Sequence, residues 1–303
     1  MLDICLLGTG GMMPLPNRFL TSLLLRYNGR MILIDCGEGT QVTMKSQGWG
    51  FKTVDVICIT HFHADHVTGL PGLLLAIANS GREEPLVIIG PRGLKRIISS
   101  LLIIAGEISF DIEFIEADGG ETFNFNGYTI KPVLGDHRIN VFAYRVDIKR
   151  RGKFDVKKAE ANNVPKTIWS KLQKEGETIL NGIKYTSEMV LGNERKGISV
   201  TYCTDTRPKY EIVDLARKSD LFVCEGMYGD DEKLPKAIEY KHMLFSEAAN
   251  MAHLAEVSEL WLTHFSPSIL DPAEYSSFAS EIFENTVIGT DRMTKTICFD
   301  KAT

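Results

Sequence analysis

Short apolar runs recur along the first half of the chain, each closed by a polar or glycine-containing turn. Ile4 to Leu7, Ser22 to Arg26, Met31 to Asp35, Val54 to Thr60, Leu86 to Gly90 and Tyr128 to Leu134 have strand length and β-branched content, and they predict strands. Helical spacing of apolar positions appears near Gly39 to Lys45, Val67 to Ala78 and Gly93 to Ile104. Leu101 to Ala105 continues the third of these patterns and is read as core, because no apolar run approaches the ~18 residues of a membrane span. The periodicity then lapses. Between Arg145 and Glu175 ten Lys or Arg residues stand against four acidic ones, with apolar residues in no regular order. After Gly197 the alternation resumes, with strands at Ile198 to Cys203, Leu221 to Cys224 and Leu260 to Thr263, and helices at Tyr210 to Lys218 and Ser246 to Glu256.

Alternation on both sides of a basic stretch predicts one α/β sandwich domain over residues 1–303, interrupted by a basic insertion at 148–195. Composition adds little to this: 44% hydrophobic and 24% charged residues describe an ordinary globular enzyme. The net charge of −5 changes the picture more, since it gives the whole protein no affinity for polyanions and leaves any such binding to a local basic patch. Six scattered cysteines, mostly in apolar runs, predict buried reduced thiols and a cytoplasmic setting. The start, Met1 to Gly8, has neither the basic residues nor the long apolar stretch of a signal peptide.

The candidate chemistry lies in His61-Phe62-His63-Ala64-Asp65-His66, which follows the strand Val54 to Thr60 and holds three of the seven histidines. Loops at the C-terminal ends of strands are where α/β sheets place ligands. Neutral imidazoles and carboxylates are good ligands for zinc and similar metals, and a bound metal lowers the pKa of its water to about 7. Three more donors share this placement: His137, Asp205 and His264 each follow a predicted strand. A consistent assignment gives one metal to His61, His63 and His137 and a second to Asp65, His66 and His264, with Asp205 bridging. Two metals about 3.5–4 Å apart suit the in-line displacement of phosphodiester hydrolysis.

These ligand segments together resemble those of the metallo-β-lactamase superfamily. Leu7 to Gly11, Asp35 to Gln41, Thr60 to His66 with Gly69 to Leu73, Thr204 to Pro208 and Leu262 to Pro267 narrow the resemblance to the ribonuclease Z family, over nearly the whole chain and in colinear order. The resemblance implies an αββα sandwich, two zinc ions (with manganese or another divalent metal as substitute), precursor tRNA as substrate, a homodimer, and a basic arm that grips tRNA. The arm should fall between His137 and Asp205, where the basic insertion lies. For acid-base chemistry Asp65, beside the attacking water, is the expected base. His242 matches the family's additional histidine and is the expected acid, with Glu225 as the carboxylate that orients it and raises its pKa. His253 matches no motif and is read as structural.

The chain departs from the family pattern at Phe19, Met243-Leu244 and Ser268-Ile269, and its Asn163 to Trp169 stretch has a proline but no glycine. None of these positions is an expected ligand. They leave open an alternative, a hydrolase of the same fold acting on a phosphodiester or ester other than tRNA. A di-iron redox protein fits poorly, because His63 stands where such relatives carry glutamate.

Overall fold

A computed structural model describes residues 1–300. In chain order the first strands are β1 (Leu2–Gly8), β2 (Ser22–Tyr27), β3 (Arg30–Ile34), β4 (Val54–Cys58), β5 (Leu86–Pro91) and β6 (Ile112–Ala117), interleaved with helices α1 (Thr40–Gln47), α2 (Ala64–Val67), α3 (Leu70–Asn79) and α4 (Leu94–Leu102). Strands β7 (Phe123–Phe125), β8 (Tyr128–Leu134) and β9 (Phe142–Arg150) follow. The insertion then carries α5 (Val156–Ala161), α6 (Trp169–Glu175), β10 (Glu177–Leu180) and β11 (Ile183–Thr186). Beyond it come β12 (Arg195–Cys203), α7 (Tyr210–Ala216), β13 (Leu221–Glu225), α8 (Leu234–Tyr240), α9 (Phe245–Leu254), β14 (Leu260–Thr263), α10 (Ser277–Ser280), β15 (Thr286–Ile288) and β16 (Met293–Ile297).

Two seven-stranded sheets form, ordered β16-β1-β2-β3-β4-β5-β6 and β15-β14-β13-β12-β9-β8-β7. The inner strands of each sheet are buried, so they read as continuous apolar runs. Helices α1, α3 and α4 cover the outer face of the first sheet, where Leu70, Leu73, Leu74 and Ile77 meet Leu33, Ile57 and Ile88. Helices α7 and α9 cover the second sheet through Ile212, Val213, Ala248 and Ala252. Between the sheets, the Tyr128 hydroxyl donates to the Arg30 carbonyl (2.9 Å) and the Tyr144 hydroxyl to the Ile59 carbonyl (2.8 Å). Helices on both outer faces make this the αββα sandwich.

Two expected helices are shorter than their sequence pattern. The helix expected over Val67 to Ala78 is two pieces, α2 and α3, separated at Thr68-Gly69. The helix expected to run from Gly93 to Ile104 stops at Leu102, and Ile103 and Ile104 are about 80% exposed, so they are not core. Five strands and one helix that position the site or close the sheets, β6, β7, β9, β15, β16 and α8, have no counterpart in the sequence reading.

The described chain divides into two compact units, one of residues 1–147 with 199–298 and one of residues 148–198 with 299–300. The second unit has its own small core, including Ala159, Val164, Ile168 and Leu172, with the Phe154 and Trp169 rings 5.0 Å apart. Its β10–β11 hairpin turns on Asn181-Gly182, both at positive φ (51° and 79°), as a tight two-residue turn requires. No helix among the described residues is long and apolar enough to cross a membrane. Five cysteines are buried and free, and Cys298 is exposed and free. Burial pushes the Cys5, Cys36, Cys58 and Cys224 thiols up, which keeps them protonated and unreactive.

Candidate metal centre

The segment from Thr60 to His66 leaves the end of β4 and turns at once into α2. It is pinned to the loop after β3: the Cys36 N–H donates to the His66 carbonyl (2.9 Å) and the Gly69 N–H to the Cys36 carbonyl (3.0 Å). The two loops approach so closely that a Cβ on Gly69 would overlap the Gly37 carbonyl, and one on Gly37 would overlap the Asp65 carbonyl. Glycine at both positions is therefore what lets Asp65 and His66 sit over the sheet edge.

Two donor groups converge there. His61 Nε2 lies 2.9 Å from His63 Nδ1, and His137 Nε2 lies 3.4 Å from the same atom. On the other side, His66 Nε2 and His264 Nε2 are 3.3 Å apart, and each is 3.5 Å from Asp65 Oδ2. Asp205 spans them: Oδ1 is 3.8 Å from His61 Nε2 and 3.9 Å from His137 Nε2, while Oδ2 is 3.1 Å from both His66 Nε2 and His264 Nε2. Each group is compact enough to hold a cation, as is a third set of Asp205, His242 and His264. Asp205 (φ 55°) and His264 (φ 57°) adopt the left-handed backbone region that costs a non-glycine residue about 1 kcal/mol or more, at the ends of β12 and β14.

The remaining ring nitrogens fix which atoms face the centre. Thr60 Oγ1 donates to Asp35, so its lone pairs accept from His61 Nδ1 at 3.0 Å. His66 Nδ1 donates to Asp35 Oδ2 (2.8 Å), and His137 Nδ1 to the Lys241 carbonyl (3.1 Å). These bonds leave Nε2 of all three rings aimed at one another and at carboxylate oxygens, while buried Asp205 Oδ2 has no hydrogen-bond partner. Convergent lone pairs of this kind repel unless positive charge lies among them. The residues present therefore fit divalent metal.

Titration behaviour agrees. Burial pushes His61, His63 and His137 down, so all three are neutral at neutral pH and able to coordinate. Against burial, Asp205, Asp35 and Asp65 pull His66 well above its ordinary value, a sign of how strongly this spot favours positive charge. Burial acts to raise Asp65 and Asp205 as well, yet the surrounding imidazoles hold both far below the carboxylate range.

Beside the donors, His242 Nδ1 meets Glu225 Oε2 at 2.9 Å. Burial disfavours the imidazolium, but the Glu225 charge and hydrogen bond, with Asp205 and Asp65 behind them, raise His242 to about 9. A cation beside the aspartates would offset their part, so the Glu225 contact is the durable cause. The segment Thr204 to Pro208 braces this side: the Thr206 N–H donates to Glu225 Oε1 (2.7 Å), the Asp136 N–H to Thr206 Oγ1 (2.7 Å), and Arg207 donates to the His242 carbonyl while pairing with Glu247.

The structure thus brings His61, His63, Asp65, His66, His137, Asp205, Glu225, His242 and His264 into one cluster, and leaves His253 exposed on α9. Two contributors had no role in the sequence reading. Asp35, fully buried at φ 60°, holds both Thr60 and His66; its signals were a charge ending an apolar strand and its place at the head of the Asp35 to Gln41 segment, neither of which gives this role. Lys241 holds His137 through a backbone carbonyl, a role that no side chain announces.

A ribonuclease Z of Clostridium kluyveri is 56% identical over 302 residues, which cover 99% of each chain. The chain belongs to the ribonuclease Z family. It is accordingly an enzyme, a metal-dependent hydrolase of the endoribonuclease kind. Among solved structures, the short form of human tRNase Z superposes with a TM-score of 0.69 at 25% identity, covering 98% of this chain and 100% of that one. The metallo-β-lactamase-fold protein YhfI of Bacillus subtilis gives 0.71 at 17% identity, with 98% and 100% covered, and bears on the fold alone. A family model described as Anti-Pycsar protein Apyc1 matches residues 2–139, under half the chain. That match stops short of Asp205, Glu225, His242 and His264, whereas the likeness to ribonuclease Z runs through them.

Proposed function

We propose that the chain cleaves precursor tRNA at its 3′ end, by hydrolysis of one phosphodiester at a centre of two divalent metals, with zinc as the natural occupant and manganese as a substitute. The observation that carries this reading is the Glu225–His242 pair standing beside two donor groups that share Asp205. A metal bound there would supply Lewis-acid stabilisation of the phosphorane-like charge and an acidified water. His61, His63 and His137 with Asp205 Oδ1 would hold one ion, and Asp65, His66 and His264 with Asp205 Oδ2 the other. Asp65, ionised at neutral pH, takes a proton from the attacking water. The bond from phosphorus to the departing 3′ oxygen breaks with its electron pair on that oxygen, and His242 Nε2 protonates it. The products are a 3′-hydroxyl on the tRNA and a 5′-phosphate on the trailer.

The insertion at 148–195 serves in this reading as the arm that meets tRNA phosphates, in a homodimeric and cytoplasmic enzyme whose thiols stay reduced. The test is incubation of a precursor tRNA with the metal-loaded protein and end-mapping of both products. A single cut leaving 3′-hydroxyl and 5′-phosphate ends supports the reading. Intact precursor tRNA alongside turnover of bis(p-nitrophenyl) phosphate would assign the enzyme to another phosphodiester.

A further inference from the structure

The donor cluster opens into a cleft of about 780 Å³, far more than one phosphodiester fills. Its lining gathers around the two acid–base residues. Met12 and Met13 belong with Asp65, whose Oδ2 accepts from the Met12 N–H at 2.8 Å. Arg138, Lys236 and Tyr240 belong with His242, since Tyr240 ends α8 two residues before it. The Arg138 guanidinium lies 5.0 Å from the Tyr240 ring centroid and is fixed there by donating to the Glu239 carbonyl at 2.9 Å. Lys236 is exposed one helical turn before Tyr240, on the same side of α8.

Leaving-group chemistry gives this cleft a direction. His242 protonates the 3′ oxygen that departs, so the nucleotide carrying that oxygen lies on the His242 side. Asp65 activates the water that attacks opposite that oxygen, so the bond that breaks points away from Met12 and Met13. We infer that Tyr240, capped by Arg138, stacks on the base of the nucleotide immediately 5′ of the cut, and that Lys236 meets the phosphate preceding that nucleotide. This rests on the function proposed above and adds a polarity to it. An aromatic face takes any base, and a lysine at a phosphate carries no sequence preference, so the subsite accepts whichever base ends the mature tRNA. Arg138 lowers the cost of ordering the tyrosine before substrate arrives.

Single-turnover cleavage of three precursor tRNAs tests the subsite: one intact, one abasic at the nucleotide 5′ of the cut, and one abasic at the nucleotide 3′ of it. The wild-type protein should lose roughly five- to a hundredfold on the first abasic substrate, the range of one base–aromatic stack. Tyr240→Ala should show that loss already on the intact substrate and no further loss when the 5′ base is removed, and Tyr240→Phe should restore the sensitivity. Lys236→Gln should weaken binding of all three alike and reduce the slope of log affinity against log salt by about one. The subsite is overturned if Tyr240→Ala keeps full sensitivity to the 5′ base, if it loses sensitivity to the 3′ base instead, or if Lys236→Gln leaves the salt slope unchanged. Failure of the wild-type protein to cut the intact precursor is a separate outcome that brings down the underlying function and the subsite with it.

Discussion

Glu225 sits fully buried with one carboxylate oxygen on His242 and the other on the Thr206 N–H, so its charge is committed to the histidine rather than to solvent. Glu225→Gln keeps the shape and removes the charge that raises His242. Cleavage of precursor tRNA should then fall roughly a hundredfold, the usual worth of a positioned acid. Turnover of bis(p-nitrophenyl) phosphate should fall far less, because nitrophenolate leaves without a proton. The sign in pH follows from the same contact: protonated His242 is needed, its value drops from about 9 toward 6.5 without the charge, and the alkaline limb of the RNA-cleavage profile moves to lower pH. Equal loss on both substrates would remove His242 from the acid role. At this scale the ligand-type residues were legible because His and Asp at strand ends are conspicuous. Asp35 was half legible, its motif noticed and its work not, since a hydrogen bond to His66 from a residue 31 positions away has no sequence signature. Lys241 acts through its carbonyl and was not legible.

The expected helix from Val67 to Ala78 fails at Thr68-Gly69 for the reason that makes the site possible. Its apolar pattern is continuous, but the chain must bend so that Asp65 and His66 are carried on one short turn while Leu70 onward packs on the sheet. Gly69→Ala places a methyl group against the Gly37 carbonyl, which no side-chain rotation relieves. We expect a loss of about 2 kcal/mol or more in unfolding free energy, with weaker zinc binding in titrations of the folded protein. Unchanged zinc affinity would mean that the two loops adjust independently of the donors. Strands with continuous β-branched runs were legible for the opposite reason: burial on both faces leaves no polar position to confuse the pattern. The strand Met293–Ile297 escaped notice because it lies at a sheet edge, half exposed, with polar Thr-Lys-Thr at its middle. The insertion's elements escaped because seven core residues are spread over two short helices, a hairpin and the turns between them.

For the molecule as a whole, a net charge of −5 means that affinity for RNA has to be local. Lys157, Lys166 and Lys174 are exposed in the insertion. Replacing all three by glutamine should weaken precursor-tRNA binding and flatten its salt dependence by about two units of log–log slope, measured by binding across a salt titration. Parallel slopes for variant and wild type would place the phosphate contacts elsewhere.

The pairing of Leu2–Gly8 with Met293–Ile297 has a consequence for when the enzyme works. During synthesis the first of these strands waits, with one edge open, until nearly three hundred residues have been added, and Asp291, which receives both Thr9 Oγ1 and the Phe19 N–H, arrives equally late. His264 arrives only shortly before. A nascent chain thus carries the His61 to His66 loop for most of its time on the ribosome without the partners that complete it. Hydrolysis at this centre therefore has to wait until His264 and the strand that pairs with Leu2–Gly8 have been made.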